Sequence, residues 1–227
     1  LRFCGGGLMI KTLKAAQEIA GKMSISNSKM PGSTFPTSTT RCPTGLKLAK
    51  VPNSVCEECY ATRLEKLRPN VATGWLNNSI KTMRTLATDP DQWVEACVYQ
   101  INHYYKRTME IEHRWFDSGD LENETELHAI AQVAVATPDF KHWLPTKEIK
   151  LLRAYLKQNT LPDNLVVRAS SPMIDQGPLS GFRNTSTVHR DQDPVGHACP
   201  ARHQGNSCGK CRACWDPAVA NVSYPKH

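Results

Sequence analysis

Apolar residues recur along this chain at two periods, and the change between them marks its organisation. Ile10, Leu13, Ala16 and Ile19 share one face of a 3.6-residue repeat in IKTLKAAQEIAGK, and Gly21 ends the pattern, which predicts a helix over 10–22. Residues 24–29 read as a short strand. The segment that follows, PGSTFPTSTTRCPTGLKLAKVPNSVCEECYA, is rich in Pro, Ser, Thr and Gly and keeps neither period. Residues 30–60 are therefore expected to form a long loop, and loops of that length are uncommon unless something holds them. Metal ligation would hold it. Helical periodicity returns over 71–87 and 91–108, the second stretch opened by Asp89-Pro90 as N-cap and first-turn proline.

From residue 111 short alternating and helical stretches take turns. IEHRWF, KHWLPT and NLVVRAS read as strands, and NETELHAIAQVAVAT and KEIKLLRAYLKQN as helices. The resulting β-α-β-α-β order with short links implies parallel strands and right-handed crossovers. The expected class is α/β: a partial or irregular (β/α) barrel with long cysteine-bearing loops, built as a single domain over 1–227. In a barrel, chemistry collects where strands end. Asp117, Ser118, Gly119 and Asp120 follow the first of these strands, Thr146 and Lys147 the second, and Arg168, Ser170 and Ser171 the third. Asp117, Ser118, Asp120, Lys147 and Arg168 are the candidate catalytic groups of that rim. The competing role is helix capping, for Asp120, Thr146 and Ser170.

Composition narrows the class. At 227 residues, 40% hydrophobic and 22% charged, the chain suits an ordinary globule that buries a sizeable core without staples. No run approaches the ~18 apolar residues of a transmembrane helix, so no membrane partner is expected. Leu1–Leu8 precede Met9 and read as upstream sequence; they carry no apolar signal region, which points to reducing cytoplasm. There, disulfides are disfavoured and clustered thiols are read first as metal or catalytic groups.

Of nine cysteines, seven fall in two tracts. Cys4 lies in the upstream stretch, and Cys97 is expected to be a buried core thiol on the 91–108 helix. The C-terminal tract, Cys199, Cys208, Cys211 and Cys214, contains two overlapping C-x2-C units and one cysteine a loop away. That spacing favours a 4Fe–4S cluster over zinc, which usually pairs two C-x2-C units across a longer spacer. The N-terminal tract, Cys42, Cys56 and Cys59, offers three ligands for a second cluster or a share of the same one. Cys97, His197, His203 or a C-terminal cysteine could close it. Residues 30–60 and 196–216 are thus the expected metal-binding loops.

The formal charge of +7 is concentrated over 1–88 and 149–227, around an acidic middle. Arg41, Lys47, Arg202, Lys210 and Arg212 stand near the cysteines and would favour an anionic cluster there. A phosphorylated substrate or nucleic acid is the other partner such charge suits; no nucleic-acid-binding motif accompanies it, so the metal reading, with an unidentified small-molecule substrate, comes first. The alternative is a zinc-stabilised nucleic-acid-binding module. A third reading comes from Gly205-Asn206-Ser207-Cys208-Gly209, which matches the G-x-S-x-G elbow of serine hydrolases. Ser207 would be the nucleophile of an esterase, with His203, His197 or His227 as base and Asp216 or Asp193 as acid. Oligomeric state leaves no mark on the sequence.

SNSKMPG (26–32), CEECYA (56–61), FDSGDL (116–121) and CPARHQGNSCGKCRACWD (199–216) resemble the phage gene product 88 family. The resemblance implies a phage or prophage origin, a bacterial host cytoplasm and metal-binding cysteines. A more distant likeness is to radical SAM enzymes, whose three-cysteine loop follows the first strand of a partial barrel, as Cys42, Cys56 and Cys59 do here. Their C-x3-C-x2-C spacing is not kept, which argues against S-adenosylmethionine as a cofactor.

Overall fold

A computed structural model describes residues 10–25 and 29–226. In chain order the elements are α1 (Leu13–Ala20), β1 (Ser24–Ile25), β2 (Ser33–Phe35), α2 (Pro43–Leu48), α3 (Tyr60–Leu67), α4 (Pro69–Thr88) and α5 (Pro90–Thr108). There follow β3 (Glu112–Trp115), α6 (Glu124–Ala136), β4 (Lys141–Thr146), α7 (Ile149–Leu156), β5 (Leu165–Ile174), β6 (Thr185–His189), β7 (His197–Ala198) and β8 (Asn221–Pro225). One eight-stranded sheet runs through the described chain in the order β1-β2-β3-β4-β5-β6-β8-β7. All pairings are parallel except β1 with β2.

The β-α-β-α-β core expected over 111–170 is present, and local signals account for its helices. The Asp89 side chain accepts from Gln92 N ahead of Pro90, and Asn123 accepts from Glu126 N at the start of α6. Side chains alternate across the strands. His113, Trp115, His142, Leu144, Val167 and Ala169 face the helices, where Phe35, Trp93 and Trp115 form an aromatic cluster with ring centroids 5.8–6.2 Å apart. Arg114, Trp143, Arg168, Val222 and Tyr224 belong to the opposite face, which the C-terminal cysteine segment covers with Cys214 and Trp215.

The α/β class with a mostly parallel sheet is as expected; the sheet is open, with β1 and β7 at its edges, so strand pairing does not close it. Three expectations need correction. Residues 30–60 are not a bare loop: they hold β2, α2 and a 3-10 turn at Thr39–Arg41, tied down by hydrogen bonds from protein groups. The helix caps are not Asp120, Thr146 and Ser170: α6 is capped by Asn123, the N-cap of α7 is Glu148, and Ser170 lies within β5. Arg168 is not on the rim; it is fully buried under the C-terminal segment. The strand expected over 24–29 is seen as Ser24–Ile25, and 26–28 lie outside the described residues.

The strands β6 and β8 escape a hydrophobic pattern because their buried positions, Val222 apart, are polar and several satisfy one another. Ser170 and Ser186 hydroxyls lie 2.9 Å apart, and Thr185 Oγ1 and Asn221 Oδ1 2.8 Å.

Candidate functional site

The first thiol set forms where β3, β4 and β5 end. Cys42 follows the Thr39–Arg41 turn, its N–H reaching Thr39 O at 3.2 Å, and it is the N-cap of α2; Cys59 is the N-cap of α3. Their spacing is set by a web of contacts. Glu65 of α3 accepts from the hydroxyls of Ser38 and Thr39, while Glu148 accepts from Thr44 N at 2.7 Å. Val55 N donates to Pro172 O and Ile174 N to Asn53 O, joining the loop to β5, and the Tyr60 hydroxyl donates to Asp117 O after β3. Cys42 and Cys56 Sγ stand 3.7 and 4.0 Å from the point a Cβ on Gly45 would occupy, so both thiols border one small residue.

Burial pushes the Cys42 thiol well up, helped by Asp120, Cys59 and Cys56, while Lys147 opposes the rise; Cys56 is raised chiefly by burial too. Both stay protonated at neutral pH unless a cation at the site compensates. Asp120 is the rim carboxylate beside them. It accepts from Thr146 Oγ1 at 2.6 Å and from Lys147 N and Leu121 N at 2.8 Å, and burial pushes its pKa up to about 6. Gly119 makes this turn possible: its φ is +86°, and a Cβ there would lie 1.8 Å from Thr37 Oγ1.

The second set lies on the opposite face of the sheet from the helices. Cys199 N donates to Ser223 O of β8 at 2.8 Å, Cys208 N to Lys29 O at 2.7 Å and Cys211 N to Cys208 O at 2.9 Å. Cys214 sits in a 3-10 turn, Ala213–Trp215, with its Sγ 3.2 Å from Tyr224 Oη; Cys211 Sγ is 3.4 Å from His197 Nε2. Arg168 fixes this segment from below, donating to the carbonyls of Cys214, Thr185, Val219, Ala213 and Asp216 at 2.7–3.2 Å. Trp215 Nε1 donates to His113 O of β3 at 2.9 Å. Burial raises Cys214 to about 12 and Cys208 more modestly.

The thiols thus fall into two sets rather than one merged site. Cys56 and Cys59 act on Cys42, whereas Cys199 acts on both Cys208 and Cys214. Among the described residues, no three His, Cys, Asp or Glu side chains converge tightly enough to hold a single metal ion as they stand. Cys97 is a core thiol, fully buried in α5. The eight described cysteines are unbridged.

A family model described as Gene product 88 matches residues 9–217. The chain belongs to the Gene product 88 family. That match spans both thiol sets and gives no support to kinship with radical SAM enzymes. No curated protein and no solved structure matches the chain. No helix among the described residues is long and apolar enough to cross a membrane.

In this Gene product 88 protein two of the cations expected around the cysteines are held by carboxylates, and one of them, Arg212, also donates to Gly209 O at 2.7 Å and Cys211 O at 3.1 Å. Arg41 forks onto Glu122 through Nε at 2.8 and 2.9 Å, and Arg212 reaches Glu112 at 3.0 Å and Glu110 at 3.3 Å. Lys210 and Arg202 are exposed. The cations that act on the thiols are Lys147 for the first set, and Arg114, Arg168 and Lys29 for the second. Arg114 was legible in principle: strand alternation in Glu112–Trp115 sets it opposite His113 and Trp115. Asp117 and Ser118 lie just beyond β3, Asp117 accepting from Thr34 Oγ1 at 3.3 Å. Ser207 follows a turn after the Pro200–His203 3-10 helix rather than a strand, and among the described residues no histidine hydrogen-bonds its Oγ. The strand-turn-helix setting of a nucleophile elbow is therefore missing around it.

Proposed function

We propose that this chain is an iron–sulfur protein in which Cys199, Cys208, Cys211 and Cys214 hold one 4Fe–4S cluster. Cys42, Cys56 and Cys59 then hold a second, with one position left without a cysteine. The observation that carries the reading is the packing of all four C-terminal thiols against one wall of Trp143, Trp215 and Val222, with Arg114 acting on Cys208 and Cys214 and Arg168 on Cys214. Four thiolates and a cluster are anionic together; two guanidinium groups offset that charge, and the dry wall strengthens their attraction for it. The donor set fits: a cluster spreads its thiolates over four irons and asks for wider spacing than a single ion does. His197 and Tyr224 lie within hydrogen-bond reach of Cys211 and Cys214 and would steady the ligands.

A bound cluster of this kind supplies one-electron transfer. We read the open sheet, whose strand order follows the chain from β1 to β6, as part of a (β/α) barrel, with the first thiol set on its C-terminal rim. Asp117, Asp120 and Lys147 are then the polar groups a substrate meets beside those thiols. The site suits the reducing cytoplasm of a phage-infected bacterium.

Anaerobic purification followed by absorption and electron paramagnetic resonance spectroscopy tests the reading. A brown protein that loses about half of its signal in Cys211→Ala is expected; a colourless protein that refuses reconstitution with iron and sulfide contradicts it.

A further inference from the structure

Where β6 and β8 end, a cleft of about 240 Å³ opens that neither thiol set accounts for. It is lined by His189, Arg190, Arg202, His203, Pro225 and Lys226, so two arginines, a lysine and two histidines border it and no carboxylate does. The placement follows from the fold. β6 and β8 are parallel with His189 opposite Pro225, so their C-terminal ends deliver His189-Arg190 and Pro225-Lys226 side by side. Arg202 and His203 arrive on the 3-10 turn that follows Cys199, itself bonded to Ser223 of β8. Ends of parallel strands are where α/β sheets receive ligands.

The cleft's charge is only loosely neutralised. Arg190 pairs with Asp191 at 2.9 Å and Lys226 with Glu58 at 2.7 Å, but the two carboxylates are 70% and 66% exposed, and such pairs are weak enough to exchange partners. Arg202 makes no hydrogen bond or ion pair among the described residues. The turn that presents Arg190 is fixed from behind, because Asp175 accepts from Arg190 N at 2.7 Å and from Asp191 N and Gln192 N at 3.2–3.3 Å.

We propose that this cleft binds a phosphate group. Its volume falls below the ~300–1,000 Å³ of pockets that enclose a whole drug-sized ligand, so it suits a small anion or the anionic end of a larger molecule. Two guanidinium forks, an ammonium and two imidazoles offer more donors than the two oxygens of a carboxylate accept, and they match the oxygens of a phosphate. A phosphorylated small molecule and a nucleic-acid backbone present the same chemistry. Lys226 is tied to Glu58, between Cys56 and Cys59, so the bound phosphate would lie beside the first thiol loop. The site stands whether or not the thiols hold a cluster.

Titration of the purified chain with inorganic phosphate, and separately with a single-stranded DNA oligonucleotide, at matched ionic strength in chloride, tests this. Arg202→Gln and Arg190→Gln should each weaken binding at least tenfold, and Lys106→Gln, on the exposed side of α5 and outside the cleft, should leave it unchanged. Circular dichroism establishes that each variant is folded, and either arginine variant alone suffices for the comparison. Phosphate binding that is sensitive to these variants, without oligonucleotide binding, supports a small phosphorylated ligand. Oligonucleotide binding lost in the same variants supports a nucleic-acid source. Binding of neither ligand, or equal binding by wild type and both cleft variants, overturns the proposal.

Discussion

Glu148 at the start of α7 caps α2 from a distance of 104 residues: its Oε1 accepts from Thr44 N at 2.7 Å and its Oε2 from Thr44 Oγ1 at 2.9 Å. Thr44 is two residues from Cys42, so one carboxylate ties the first thiol loop to the end of β4. Glu148→Ala removes two charge-assisted hydrogen bonds and should cost about 1–3 kcal/mol. Urea denaturation measures the loss, and alkylation of Cys42 followed by mass spectrometry should run faster in the variant. Unchanged alkylation would mean that the loop is held without Glu148.

Two buried groups give stability opposite pH dependences. Burial lifts the Glu126 carboxyl from 4.5 to about 8 and lowers His142 from 6.5 to about 3. The raised carboxyl contributes stability fully below pH 4.5, and that contribution fades as pH rises through 8. The depressed imidazole contributes above pH 6.5, and its share fades as pH falls through 3. Each slope is about 1.4 kcal/mol per pH unit within its window. Melting temperature should therefore decline from pH 6.5 to 8 in the wild type. Glu126→Gln keeps an acceptor for Glu122 N, 2.8 Å away, and should flatten that decline; parallel slopes in wild type and variant would contradict the assignment.

Arg168 is the anchor of the C-terminal segment. Its guanidinium serves five carbonyls, and Arg168→Met removes all five bonds, although Ala213 O, Asp216 O and Val219 O keep donors in Asp216 N, Val219 N and the Asn184 amide. A loss above about 3 kcal/mol is expected in urea denaturation. Arg168→Lys, with one charged centre in place of a planar fork, should recover only part of it.

The sequence made α1, α4 to α7, the central three strands and the grouping of seven cysteines in two tracts legible, because each rests on local pattern: Asp89-Pro90 opens α5 as expected, and Cys208, Cys211 and Cys214 are close in the chain before they are close in space; it missed α2 and α3, and the expectation that the fold brings the two tracts together is not met. What it hid depends on pairing between distant segments. The strands β6 and β8 bury Ser186, Thr185 and Asn221, which look solvated until their partners 16 to 36 residues away are known. Arg168 reads as a rim cation because its strand ends nearby; only the carbonyls of 213–219 reveal that it points into the fold. Arg41 lies near Cys42 in sequence yet is held by Glu122, and Arg212 pairs with Glu110 and Glu112 while still donating to Cys211 O at 3.1 Å; Arg114 and Lys147 reach the thiols from other elements.

The most direct test of the iron–sulfur reading is a count of iron and acid-labile sulfide in anaerobically reconstituted protein, compared with Cys211→Ala and Cys56→Ala. Two clusters predict about eight iron and eight sulfide per chain, falling to roughly half in either single variant. Wild type with no sulfide, or with a single zinc ion bound in place of iron, would contradict it.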